Sequence, residues 1–149
     1  MVKNIVVLCD GTWNSADMKN RTVIKDLDEQ ILARSDTQRV AYFPGIGVVD
    51  DFDHGPRRIV VKYGGGAFGW GLESKVKEAY RYVAQTYEEG DRIHLFGFSR
   101  GAYTVRSVAG MIRKCGIAED TSVAGIDAAF DLYRTSGRRN APDQPHVIA

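Results

Sequence analysis

Residues 93–116 combine a short apolar segment, a turn with glycine at both flanks, and an amphipathic run. Ile93–Phe96 precedes Gly97-Phe98-Ser99-Arg100-Gly101, and Ala102, Val105, Val108, Ala109 and Ile112 then recur at helical spacing up to Gly116. A strand that turns within a few residues into a helix packs that helix back on its own sheet. A second such unit therefore implies a sheet covered by helices. Ile5–Cys9 (IVVLC) supplies a first strand: it is β-branched and continuously apolar, as a strand buried on both faces requires, and it stops at Asp10-Gly11-Thr12.

The remaining segments alternate in the same way. Val23, Ile24, Leu27, Ile31 and Leu32 mark one face of a helix over 22–33, and Val40–Phe43 forms a second strand closed by Pro44-Gly45. Residues 46–56 have no period and read as an exposed loop, and Arg57–Tyr63 reads weakly as a strand. Leu72, Val76, Ala79, Tyr80, Val83 and Tyr87 define a helix over Gly71–Glu88, and Ile126, Ala129, Phe130 and Tyr133 define another over Val123–Arg134. The polar stretch 136–149 reads as a poorly packed tail. The expected fold class is α/β, three-layered, with a mostly parallel sheet in a single domain over 1–149.

Composition narrows the function. The 149 residues carry 20 basic and 19 acidic side chains, with no basic stripe, which argues against nucleic acid as a partner. No stretch approaches the length of a transmembrane segment, and the apolar run Ile5–Cys9 is too short for a signal peptide, so the default location is cytoplasmic. The two cysteines, Cys9 and Cys115, have no Cys or His neighbours at ligand spacing. They read as free thiols, with no metal expected.

Gly97-x-Ser99-x-Gly101 between a strand and a helix fits the nucleophile elbow, a sharp turn that exposes a serine hydroxyl above the sheet. The helix that follows aims its first N–H groups and positive dipole end at the reacting carbonyl, which makes the Arg100 N–H the first oxyanion donor. The second is expected from Gly11 or Thr12, at the end of the first strand. The Arg100 side chain either meets an acidic substrate group or is solvated and ion-paired. Asp10 either bonds within the cleft or caps its own loop.

A competing signal is Gly64-x-Gly66-x-x-Gly69, a literal match to the dinucleotide fingerprint, with Glu88 and Glu89 some twenty positions on. Against it, Trp70 and Gly71 delay the expected helix, and Glu88 ends that helix instead of following a second strand. No cofactor is expected. Trp70 also stands where a phosphate loop needs lysine. A serine nucleophile needs a histidine oriented by a carboxylate. His94 lies inside a strand, and His54 precedes the serine in chain order. His146, the remaining one, follows a Pro-containing stretch near the C-terminus.

Four motifs in order carry a family likeness: Lys3-Asn4-Ile5-Val6-Val7-Leu8-Cys9-Asp10-Gly11-Thr12-Trp13-Asn14, Tyr42-Phe43-Pro44-Gly45-Ile46-Gly47, Gly65-Gly66-Ala67-Phe68-Gly69-Trp70-Gly71 and Gly97-Phe98-Ser99-Arg100-Gly101-Ala102-Tyr103. They resemble the α/β-hydrolase-like family of bacterial and fungal proteins that includes type VI secretion phospholipase effectors. The resemblance implies an α/β-hydrolase-like fold, Ser99 as nucleophile, an ester or phospholipid substrate, and export by a dedicated secretion system as an alternative location. It also implies a catalytic acid in a later Trp-Asp-Thr type motif and a histidine further on. Neither motif follows here, so the chain is expected to be the N-terminal portion of a longer hydrolase, with little or no turnover alone. The alternative reading is a non-catalytic interaction module.

Overall fold

A computed structural model describes residues 2–11, 22–31, 33–45 and 67–135. Three strands, β1 (Asn4–Cys9), β2 (Gln38–Phe43) and β3 (Arg92–Gly97), form a wholly parallel sheet in the order β2-β1-β3. The helices are α1 (Val23–Asp26, continued by a π-helical turn Leu27–Ile31), α2 (Ala67–Thr86), α3 (Arg100–Cys115) and α4 (Val123–Arg134). Over the described residues the protein is thus α/β with a small parallel sheet and four helices, and the unit from β3 to α3 sits where the apolar spacing put it.

β1 is the central strand, and its burial follows from that position: Ile5 through Cys9 are all 3% exposed or less. Its side chains alternate between two cores. Val7 and Cys9 join Val76, Ala79, Tyr80 and Val83 of α2, Val105, Val108 and Met111 of α3, and Ile126 and Phe130 of α4. Val6 and Leu8 meet Ile24 and Leu27 from α1 and its extension. The register pairs Cys9 with both Phe43 and Gly97, so the three strands end level and release their following residues at one edge.

Several details differ from the expected ones. α2 begins at Ala67, four residues before Gly71, so Gly69 and Gly71 lie inside its first turns. A glycine costs most in a helix interior, and tertiary packing by the Val76–Val83 stripe overrides that cost here. The helix expected over 22–33 is one α-turn that widens into π geometry, and Val23, assigned to its packing face, is 60% exposed. Ala109 of α3 is likewise exposed, while Met111 is fully buried in its place. α4 begins and ends where expected, with Ser122 capping it through a bond from the Gly125 amide at 3.1 Å. The strand expected over 57–63, the loop 46–56 and the tail 136–149 lie outside the described residues.

Both cysteines are free thiols, buried against helices. Burial pushes the Cys9 thiol up to about 12 and raises that of Cys115 as well, which keeps both protonated near neutrality.

Candidate active site

Ser99 caps α3 at the end of β3 with φ 54° and ψ −120°, and it is the one non-glycine residue at positive φ among those described. For an L-residue this backbone is sparsely populated and costs of order 1–3 kcal/mol, so the surrounding structure must impose it. The imposing contacts are on both sides. A Cβ on Gly97 would stand 2.4 Å from the Gly101 carbonyl oxygen, and one on Gly101 would stand 2.0 Å from the Cys9 carbonyl oxygen. The elbow is therefore backbone packed on backbone: the Phe98 amide donates to Cys9 O at 3.1 Å, and the Gly101 amide to Phe98 O at 2.9 Å.

The Ser99 side chain makes no capping bond to the helix it precedes, and the residue is exposed. Around it, Phe96, Phe98 and Tyr103 are 40%, 47% and 58% exposed, an apolar rim at the same sheet edge. Arg100 occupies the first helical position, so its amide heads α3, whereas the Ala102 amide is engaged with Ser99 O at 3.0 Å. Beneath the turn lies a small cavity bordered by Asp10, Phe43, Lys75, Arg100 and Thr104. Lys75, which the sequence reading passed over, adds a cation close to the elbow, with Glu78 3.0 Å from its ammonium.

Asp10 is buried at the end of β1 and ties three segments together. Its Oδ1 accepts from the Gly11 amide at 2.7 Å, and its Oδ2 accepts from Thr22 Oγ1 at 2.6 Å and Tyr42 Oη at 2.9 Å. Burial and the bond to Asp10 raise the Tyr42 phenol far above its ordinary range, so it acts as a fixed donor. Of the two roles considered for Asp10, loop fixing matches these partners. The Gly11 amide, one of the two expected second oxyanion donors, is thus directed at the Asp10 carboxylate. Thr12, the other, lies outside the described residues. Thr22 and Tyr42 as partners of Asp10 were not read from sequence, although Tyr42-Phe43-Pro44-Gly45 stood out as a motif.

The structure brings Ser99, Arg100, Asp10 and Gly11 to one edge and leaves His94 away from it. His94 is exposed on β3, and its Nε2 lies 3.2 Å from Asn4 Oδ1 at the opposite end of the sheet. His54 and His146 lie outside the described residues, as do Gly64 and Gly66 of the dinucleotide pattern. Gly69 is helical, so the helix does begin inside that pattern, contrary to the expected delay. Glu88 follows α2 and precedes β3, away from the end of a second strand where the ribose partner belongs. Among the described residues, no helix is long and apolar enough to cross a membrane.

Residues 3–147 match the family model described as the type VI secretion system phospholipase effector Tle1-like catalytic domain. Over 138 residues the chain is 30% identical to an uncharacterized protein, YEL023C, of Saccharomyces cerevisiae. That match covers 88% of this chain and 20% of the yeast protein, so the chain spans about a fifth of that relative's length. No solved structure matches. With nearly every residue of the chain inside one family model, the protein belongs to the Tle1-like catalytic domain family of type VI secretion system phospholipase effectors.

Proposed function

We propose that Ser99 is the nucleophile of a lipid ester hydrolase built on an α/β-hydrolase-like scaffold. The observation that carries this reading is the strained backbone of an exposed serine, φ 54° and ψ −120°, between two glycines that admit no side chain. Strain of this kind persists where function needs the side chain aimed, and a plain turn would relax it. The family match supports a phospholipid as the substrate class. In the proposed step Ser99 Oγ attacks the acyl carbonyl carbon, its proton passes to a base, and the N–H of Arg100 helps hold the oxyanion. The C–O ester bond then breaks, the departing lysolipid alcohol takes a proton, and water releases the fatty acid from the serine. The Gly11 amide joins the oxyanion site only by leaving Asp10 Oδ1, which makes Thr12 the better second donor.

No described histidine stands near Ser99, so the proposal assigns the base to a histidine outside the described residues, with His146 the one that follows Ser99 in this sequence. Loss of a triad member leaves only the acceleration due to oxyanion binding, a fall of roughly a millionfold in the best-measured case. The 149-residue chain is therefore expected to acylate slowly and turn over weakly. The test is intact-mass analysis after incubation with a millimolar fluorophosphonate. A slow adduct on Ser99, absent from Ser99→Ala, supports the reading. A folded protein with no adduct at Ser99 overturns the nucleophile, and rapid labelling overturns the claim of a missing base and assigns that role to His146.

A further inference from the structure

α2 and α4 leave an open groove of about 470 Å3 between them, and none of its lining residues belongs to the 97–101 turn. Ser74, Lys77, Glu78 and Arg81 of α2 line it at steps of three, four and seven residues, which puts them on one face of that helix. Val123 and Ile126 from the first turn of α4 supply its apolar wall. Ile126 is buried and Val123 is 66% exposed, so that wall runs from the core out to solvent.

The charges of the groove do not cancel. Each of its three carboxylates already has a cation: Asp127 lies 2.8 Å from the Lys77 ammonium, Glu78 lies 3.0 Å from that of Lys75, and Glu73 pairs with Arg134. Lys77 is thereby engaged, and its ammonium also stands 4.8 Å over the Phe130 ring. Arg81 is the charge left over. It is half-buried, and its Nε is fully buried with no hydrogen-bond partner among the described residues. Folded proteins satisfy nearly all such donors, and one attached to a charged group is especially costly to leave unbonded, so this one calls for an acceptor from outside the chain. The edge concerned is informative. Nε–H and the neighbouring Nη–H point the same way and form the fork that a planar carboxylate meets with two parallel bonds.

We propose that this groove binds a carboxylic acid carrying a small apolar group, its carboxylate on the Nε edge of Arg81 and its apolar part against Val123 and Ile126. The site stands independently of Ser99 as nucleophile. One uncompensated positive charge matches a monoanion, and the groove offers more room and more apolar wall than acetate uses. A dianion such as phosphate would bring a second negative charge among three carboxylates whose cations are already engaged.

The test is a titration of uniformly nitrogen-15-labelled protein, read at the Arg81 Nε–H resonance, assigned by its loss in Arg81→Lys, and at the backbone amides of 123–126. At constant ionic strength, sodium benzoate is expected to shift these signals saturably with a Kd of about 1–10 mM, and neutral benzamide to leave them in place. Acetate, which lacks the apolar part, is expected to bind roughly threefold more weakly or worse. Arg81→Lys keeps the charge and loses the fork, so benzoate affinity should fall about tenfold. Val123→Asp puts a carboxylate on the exposed wall, at a helix start where an acidic residue favours folding, and should weaken benzoate by about as much. Absence of a saturable shift in wild type, or wild-type affinity in either variant, overturns the proposal. Phosphate saturating the Arg81 signal at lower concentration than benzoate overturns the carboxylate assignment. Ser99→Ala should bind benzoate as wild type does, and loss of binding there would put the ligand at the elbow and overturn the groove.

Discussion

Replacing Gly101 by alanine separates two arguments that predict opposite signs. Gly101 lies in the first turn of α3, where helix propensity alone makes alanine better by about 1 kcal/mol. The structure reverses that. The added Cβ would meet Cys9 O at 2.0 Å, Cys9 C at 2.5 Å and Asp10 O at 2.7 Å, all main-chain atoms of the central strand and its end. No flexible side chain is there to give way, so the start of α3 must move off β1 by more than about an ångström to restore contact distance. That movement strains the bond from Phe98 N to Cys9 O. Overpacking costs roughly 1–3 kcal/mol and a lost hydrogen bond about 1, less the propensity gain of about 1, which leaves a net loss of roughly 1–3 kcal/mol. In a chain of this size each kcal/mol moves the melting temperature by about 2–4 °C, so G101A should melt roughly 2–12 °C below wild type. Circular dichroism melts with urea titrations give both numbers. Ala109→Gly on the exposed face of the same helix calibrates the propensity term at about 1 kcal/mol. Should G101A melt at or above wild type, the close approach of α3 to β1, and with it the account of why Ser99 is strained, is refuted.

Ser99→Gly should be more stable than Ser99→Ala, by about 1 kcal/mol, because glycine tolerates φ 54° without cost while alanine keeps the strain; equal melting temperatures would remove the strain argument. Burial by itself would raise the Asp91 carboxyl, but the Lys3 ammonium at 2.6 Å and the amides of Lys3 and Glu88 outweigh that and hold it at about 2, below the ordinary 3.8. A depressed carboxyl contributes stability above its unfolded value and loses it as pH falls through the folded one. The melting-temperature gap between wild type and Asp91→Asn should therefore stay constant above about pH 4 and close towards pH 2, and a gap independent of pH would contradict it. Neither Cys9 nor Cys115 should react with an aromatic disulfide reagent at pH 8 until the protein unfolds, so the reaction rate should track urea concentration through the unfolding transition. The Tyr80 hydroxyl donates to Gly116 O at 3.0 Å and accepts from the Ala118 amide at 3.2 Å, so Tyr80→Phe, which strands both groups, should cost roughly 1–3 kcal/mol in urea denaturation.

Periodicity was enough to read the helices whose buried stripe is long, and it misled where the stripe is short. Val76, Ala79, Tyr80 and Val83 place four residues on one face and locate α2 despite its glycines. Its start was misread by four residues, because Gly69 and Gly71 look like a break until packing holds them in a turn, and its end falls at Thr86, two residues before Glu88. α1 has a single fully buried residue, Ile24, so nothing in a 3.6-residue pattern could foretell that it would widen after Asp26. At the site, the two glycines announced the elbow, since a five-residue turn between strand and helix admits few alternatives. The Asp10 bonds to Thr22 and Tyr42 were not legible. They join residues 12 and 32 positions apart that become neighbours only after β2 pairs with β1.

That pairing also explains why the elbow depends on the central strand more than on its own helix. Gly101 touches Cys9 and Asp10, Phe98 bonds to Cys9, and the Asp10 amide bonds to Phe43 O at 3.0 Å, so the ends of all three strands are locked in one backbone knot. A change at Asp10 should therefore reach Ser99 without touching it. Asp10→Ala leaves the Thr22 and Tyr42 hydroxyls and the Gly11 amide without their acceptor, a loss of roughly 3–5 kcal/mol for a buried group with several bonds. If strand-end locking is what holds φ positive at Ser99, labelling of the serine in D10A should slow more than in Tyr42→Phe, which removes one bond of the three. Were the two variants to melt differently yet label equally fast, the strand ends would be holding the fold while the glycines alone held the serine.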